Sequence, residues 1–366
     1  MTPKESLKNL GYDDDVIVKI LEWNNKSLPE TLNYYIEKTF NYFIKKGYTK
    51  DEIVKMTKKF PSLFSLSEEN LNQKYQYFIE KGYTTKEIIK MTKFFPNIFG
   101  YSEENLNNKY QYFIEKGYTM KEIIKMTKKL PTIFSYSEEN LNQKYQYFID
   151  KGYTLEGIIK MTKKFPALFS LSEENLNQKY QYFIDKGYTM EEIIKMTKIL
   201  PTLFCYSEDN LNKKYQYFIE KGYTLEEIIK MTKPLPTIFN LSEENLDNKY
   251  QYFINRGYTM EEIIKMTKPL PQLFCYSEEN IEGKLSFYND INLLFIAIND
   301  TMKLMQSVEL SYARYMYFKE HGITIDESNY IRLFYDNKKF SKQYGITKEK
   351  LLERYKYDDE KRKKVK

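Results

Sequence analysis

Lysine recurs along this chain at a fixed spacing, a pattern suited to meeting regularly spaced phosphates. A Lys-Met-Thr-Lys tetrad returns every 35 residues, giving Lys55/Lys58, Lys90/Lys93, Lys125/Lys128, Lys160/Lys163, Lys195/Lys198, Lys230/Lys233 and Lys265/Lys268. A second set runs Lys74/Lys81, Lys109/Lys116, Lys144/Lys151, Lys179/Lys186, Lys214/Lys221 and Lys249/Arg256, with tyrosines such as Tyr112 between its members. Cations interleaved with aromatic rings suit a nucleic-acid backbone. The candidate ligands are Lys90, Lys93, Lys125, Lys128, Lys160, Lys163, Lys195 and Lys198 from the first set and Lys109 and Lys116 from the second. Arg314, one of only five arginines, joins them. The competing reading is a solvated helix face: Glu191 stands four residues before Lys195, a favourable pair on a helix surface.

Other chemistry is sparse. The only histidine, His321, precedes Gly322 and reads as a surface residue at a helix C-terminus. No Cys/His group has metal-ligand spacing, and no glycine-rich phosphate loop is present. Paired acids such as Glu103-Glu104 recur in several units, whereas a catalytic pair is expected once. No catalytic residue, metal or cofactor is therefore expected, and the chain is not read as an enzyme. Cys205 and Cys275 fill one slot two units apart, beyond disulfide reach, and read as small core or surface residues. The residue after each marker proline varies (Ser62, Asn97, Thr132, Ala167), as does the residue three further on (Ser65, Gly100, Ser135, Ser170). Drift in a turn explains this better than base-by-base reading.

The lysines are placed by a repeating unit. Pro61, Pro96, Pro131, Pro166, Pro201, Pro236 and Pro271 are spaced by 35 residues, as are seven glycines from Gly47 to Gly257. A strict period of this size signals units that bury apolar faces against one another. Within one unit, Ser102 caps a first helix whose core slots are Leu106, Tyr110, Phe113 and Ile114, and Gly117 ends it. Thr119 and Glu122 form a capping box for a second helix, with Ile123, Thr127 and Leu130 inward and Lys125 and Lys128 outward. Pro131 then starts a 3₁₀ turn. No strand is expected.

The 366 residues carry a net charge of +6, with 57 basic against 51 acidic side chains, so phosphate binding requires the signs to separate onto different faces. Residues 1–31 read as a degenerate half-repeat cap, with Trp23 in its core. Residues 32–280 read as seven repeats, the first with Ile36, Phe40, Phe43 and Ile44 in its core slots. Residues 281–366 read as divergent closing helices, among them 326–345 and 347–357, and a basic tail. No apolar run is long enough to span a membrane. The opening MTPKESLKNLGYDDD lacks a secretory core, so the expected location is cytoplasmic, or organellar if a presequence has been removed.

The unit GYTMKEIIKMTKKLPTIFSYSEEN at residues 117–140 resembles the mitochondrial transcription termination factor (mTERF) family. The resemblance rests on the Gly-aromatic-Thr restart, the Pro-x-Ile-Phe turn and the Ser-x-Glu-Asn start of the next helix. VELSYARYMYFKEHGI, residues 308–323, looks like the family's closing motif. The resemblance implies an all-α, superhelical solenoid of helix–helix–3₁₀ units whose basic concave face binds double-stranded nucleic acid, usually DNA. Near-identical, almost arginine-free repeats suggest recent expansion, in a bacterial or phage-like relative or a designed consensus. The expected partner is duplex DNA bound by a monomer. A protein-binding adaptor and a bare scaffold stay open beside it.

Overall fold

The computed structural model describes residues 2–23 and 29–357. The side chain of Trp23 and the expected basic tail at 361–366 lie outside the described residues. Among the described residues there are 21 α-helices, nine 3₁₀ helices and no strand. One repeat shows why. Ser102 accepts the amide of Asn105 at 3.1 Å and starts Glu103–Glu115. That helix ends where Gly117 takes φ +100°, a conformation that penalises any residue with a Cβ. Thr119 then opens Met120–Lys129 with a reciprocal capping box to Glu122. Leu130 leaves the helix with φ −134° and ψ 78°, as a residue before proline must, and Pro131–Ser135 closes one 3₁₀ turn. The architecture is an all-α solenoid of helix–helix–3₁₀ units.

Backbone contacts group the chain into two units, residues 1–179 and 180–366. In the N-terminal unit the second helices Lys50–Lys59, Thr85–Phe94, Met120–Lys129 and Leu155–Lys164 pack side by side. Hydroxyl groups join successive repeats through the core. The Tyr48 hydroxyl meets Thr92 Oγ1 at 2.6 Å, and Tyr118 meets Thr162 Oγ1 at 2.5 Å. Each threonine donates to a carbonyl one turn back in its own helix, as Thr92 does to Ile88 at 2.8 Å, so the buried hydroxyls are satisfied. Nearer the surface, in half-buried bonds, Tyr77 donates to Asn107 and Tyr112 to Asn142, both at 2.9 Å.

The C-terminal unit repeats this scheme through Met190–Ile199, Leu225–Thr232 and Met260–Thr267, then departs from it. Glu278–Asp290 is followed by the short Ile296–Asn299, a 3₁₀ turn Thr301–Met305 and the closing helix Val308–Glu320. The helix expected over 326–345 is not continuous. Asp326 accepts the Ser328 amide at 2.9 Å in a local turn, a 3₁₀ helix spans Tyr330–Phe334, and Asp336 caps Asn337–Tyr344. Lys348–Arg354 follows.

One core assignment is corrected in every full copy. Ile114 is 41% exposed, and its counterparts Ile44, Ile79 and Ile149 are exposed as well. Leu106, Tyr110 and Phe113 are buried as expected, but so are Lys109 and Tyr112. The buried face of the first helix is thus turned away from Ile114 and toward Lys109, because the helix packs against neighbours on both sides rather than over one core.

Candidate nucleic-acid interface

The structure sorts the candidate cations into three groups. Lys109 and Arg314 belong to the interior. Lys109 is 7% exposed, and its ammonium donates to the carbonyl of Tyr136, in the next repeat, at 2.5 Å. Burial pulls its pKa down, with Glu138 opposing. Lys74 makes the same bond to Tyr101 at 2.6 Å, Lys214 to Leu241 at 2.6 Å and Lys249 to Tyr276 at 2.8 Å. Arg314 is the seventh residue of Val308–Glu320, as Lys109 is of Glu103–Glu115. It is 1% exposed and donates to the carbonyls of Leu333 at 2.8 Å and Tyr335 at 2.6 Å and to Asn337 Oδ1 at 2.9 Å. Burial lowers its guanidinium to about 10, against the pull of Asp336, so it stays charged at neutral pH. Both were expected on the phosphate-binding face. Both are instead pegs that hold one first helix against the chain that follows it.

A second group is spent on the surface between repeats. Lys128 meets Glu87 at 2.5 Å, Lys93 meets Glu52 at 2.5 Å and Lys163 meets Glu122 at 2.7 Å. These glutamates are also the capping-box residues of their helices: Glu87 Oε2 accepts the Thr84 amide while Oε1 takes Lys128. The two bonds together, Lys128 first, hold the Glu87 carboxyl down at about 2. Lys198 is half-buried and also partnered. Lys116 is half-buried, with its ammonium 5.4 Å from the ring centres of both Tyr112 and Tyr145, a cation–π seat. The tyrosines between the lysines are therefore packing partners: Tyr112 is 6% exposed.

The third group faces water. Lys90, Lys125 and Lys160 are exposed on adjacent second helices, and among the described residues their ammonium groups have no hydrogen-bond or ion-pair partner. Lys55 stands likewise in the preceding repeat. Lys195 is exposed but bound to Glu191 at 2.7 Å. Two further exposed and unpartnered lysines, Lys86 and Lys121, were absent from the candidate set. Their signal in the sequence is a lysine four residues before Lys90 and Lys125, where Lys195 has Glu191.

The remaining candidates carry little chemistry. Ser135 Oγ donates to the Thr132 carbonyl at 2.7 Å and Ser170 Oγ to that of Ala167 at 2.7 Å, so these turn residues close their own turns. His321 is exposed at the end of Val308–Glu320, stacked on Tyr317 with ring centres 4.0 Å apart. Cys205 and Cys275 are exposed and in no disulfide. Among the described residues no group of three or more His, Cys, Asp or Glu is placed to hold a metal, and no helix is long and apolar enough to cross a membrane.

An all-α array of 35-residue helix–helix–3₁₀ units with lysines on its second helices defines a class: a helical-repeat solenoid. The particular family follows from the sequence. The family model described as mTERF matches residues 1–126, 115–232 and 222–292, and the chain belongs to the mTERF family. Membership points to a nucleic-acid-binding repeat protein of the transcription termination or regulation type. The match does not bear out a bacterial or phage-like source. No curated protein matches the chain.

Proposed function

We propose that this protein binds double-stranded DNA as a monomer, without catalysis, and grips the phosphate backbone through exposed second-helix lysines in the manner of a transcription terminator or regulator. The observation that carries this reading is the register of Lys90, Lys125 and Lys160. Three identical slots on neighbouring helices present unpartnered ammonium groups to solvent. A repeated cation suits a repeated anion, and a backbone contact of this kind needs no particular base sequence. The test is fluorescence anisotropy with a random-sequence 30-base-pair DNA duplex, single-stranded DNA and duplex RNA at about 50 and 200 mM salt. Duplex DNA binding that weakens at least tenfold over that range, at one chain per duplex, supports the reading. No duplex binding at 50 mM salt overturns it.

The adaptor reading keeps one observation of its own. Ile79, Ile114 and Ile149 form a row of isoleucines, each 41–43% exposed, on the first helices of the N-terminal unit. Their replacement by serine leaves DNA binding unchanged if the lysines carry it. A protein partner recovered by pull-down with the parent chain and lost with the serine variant, in the absence of duplex binding, favours the adaptor.

A further inference from the structure

The second helices of the two units are near-copies that differ in charge. In the N-terminal unit, Met120–Lys129 carries four lysines against one acid, and Thr85–Phe94 three against one. In the C-terminal unit, Met190–Ile199 carries two lysines against two acids, and Leu225–Thr232 with its C-cap Lys233 does the same. For Thr85–Phe94 and Met120–Lys129 the difference lies mainly in one slot, the second residue of the helix. In the first unit it is Lys86 and Lys121 on the two middle helices, flanked by Asp51 and Glu156 on the outer two, whereas in the second it is always an acid, Glu191, Glu226 and Glu261.

The partners of the ladder lysines differ between the units as well. Glu191 binds Lys195 at 2.7 Å and Glu226 binds Lys230 at 2.7 Å, and Lys265 donates to Asn299 at 2.9 Å. Every exposed ladder lysine of those three helices is engaged. In the first unit Lys55, Lys86, Lys90, Lys121, Lys125 and Lys160 are all exposed with no partner among the described residues. Lysine at this slot also runs against local helix physics twice. It places a cation in the first turn, where the helix dipole favours an acid. It also sets Lys86 four residues before Lys90, and Lys121 before Lys125, as like-charge pairs. The C-terminal unit shows that the same helix forms with the stabilising glutamate. A rule broken with no compensating contact in the fold marks a surface shaped for something outside it.

We propose that the DNA backbone is held by the N-terminal unit, on the face of its second helices that carries Lys55, Lys86, Lys90, Lys121, Lys125 and Lys160. The corresponding face of the C-terminal unit neutralises itself and contributes little to backbone affinity. The proposal rests on the DNA-binding reading and locates it. Four helices at an ordinary packing distance of about 10 Å extend over about 30 Å, which spans roughly nine base pairs at 3.4 Å each. A 12-base-pair duplex is therefore long enough to engage the whole face.

The test compares Lys86→Glu/Lys121→Glu, which gives the first unit the second unit's version of the helix, with Lys195→Gln/Lys230→Gln. Affinity for a random 12-base-pair DNA duplex is measured in the full chain between about 50 and 200 mM salt, with thermal unfolding alongside. The first variant is expected to bind at least tenfold more weakly at 50 mM salt, with a flatter salt dependence. Its Tm should be equal to the parent's or higher, a result that loss of structure cannot produce. The second variant should change affinity less than twofold. Equal losses in both variants, or an unchanged affinity in the first, overturn this assignment while the DNA-binding reading stands. Failure of the parent chain to bind the 30-base-pair duplex removes that reading, and this one with it.

Discussion

The first and second helices of a repeat both carry lysines on a 35-residue period, yet the structure uses them in opposite ways. Lys109 on the first helix ends in a buried bond to the Tyr136 carbonyl, and Lys116 lies across two tyrosine rings. Lys125 on the second helix ends in water. What separates them is the side of the helix that a neighbouring repeat covers. A long lysine stem crosses an apolar layer readily if its head group meets an acceptor on the far side. The next repeat supplies that acceptor to Lys109 and none to Lys125. Periodic charge is therefore weak evidence of a binding face until the stacking direction is known.

Substitutions can break or sharpen this contrast. The largest effect is expected at the buried arginine. Arg314→Met removes the donor to two backbone carbonyls and should cost about 3 kcal/mol or more of local stability, read by hydrogen exchange over residues 308–357. Lys109→Met keeps most of the stem and orphans one carbonyl, so chemical denaturation should show a loss of about 1–2 kcal/mol. A smaller effect, gated by pH, is expected at the ion-paired caps. The Glu87 carboxyl is held below its unfolded value by Lys128 and the Thr84 amide. Its contribution is therefore complete above the unfolded pKa of about 4.3 and disappears as pH falls through about 2. The Tm gap between the parent chain and Glu87→Gln should accordingly be widest near pH 6 and close toward pH 2. A gap that widens on acidification contradicts the ion pair. The smallest structural effect is expected on the exposed side. Lys125→Gln should leave Tm within about a degree, while lowering duplex affinity two- to threefold at low salt. Equal destabilisation by Lys109→Met and Lys125→Gln would erase the contrast altogether.

Much of the repeat is legible because its signals are local. The Ser102 cap, the Thr119/Glu122 box, the Gly117 terminus and the Pro131 turn each depend on residues within a few positions, and each is present. The misread residues depend on partners far along the chain. Lys109 finds its acceptor 27 residues ahead and Lys128 its glutamate 41 residues behind, and no helical pattern encodes either distance. Ile114 was misplaced for the same reason, since an apolar stripe shows which residues prefer burial but not which side a neighbour covers. Arg314 sits in the Lys109 slot of a shortened repeat, and the irregular spacing near the end hides the correspondence. Lys86 and Lys121 were legible in principle, as lysines in a slot that the other copies give to an acid.

The hydroxyl bonds between repeats also set an order in time. Tyr48 pairs with Thr92 and Tyr118 with Thr162, each 44 residues further along the chain. During synthesis the tyrosine leaves the ribosome first and its threonine follows only after those 44 residues are made. At translation rates of about 5–20 residues per second that interval is roughly 2 to 9 s. Throughout elongation the most recent complete repeat thus waits for the threonine that completes its core hydroxyl bond, and the growing end of the nascent chain stays short of finished until Thr267 arrives to meet Tyr223.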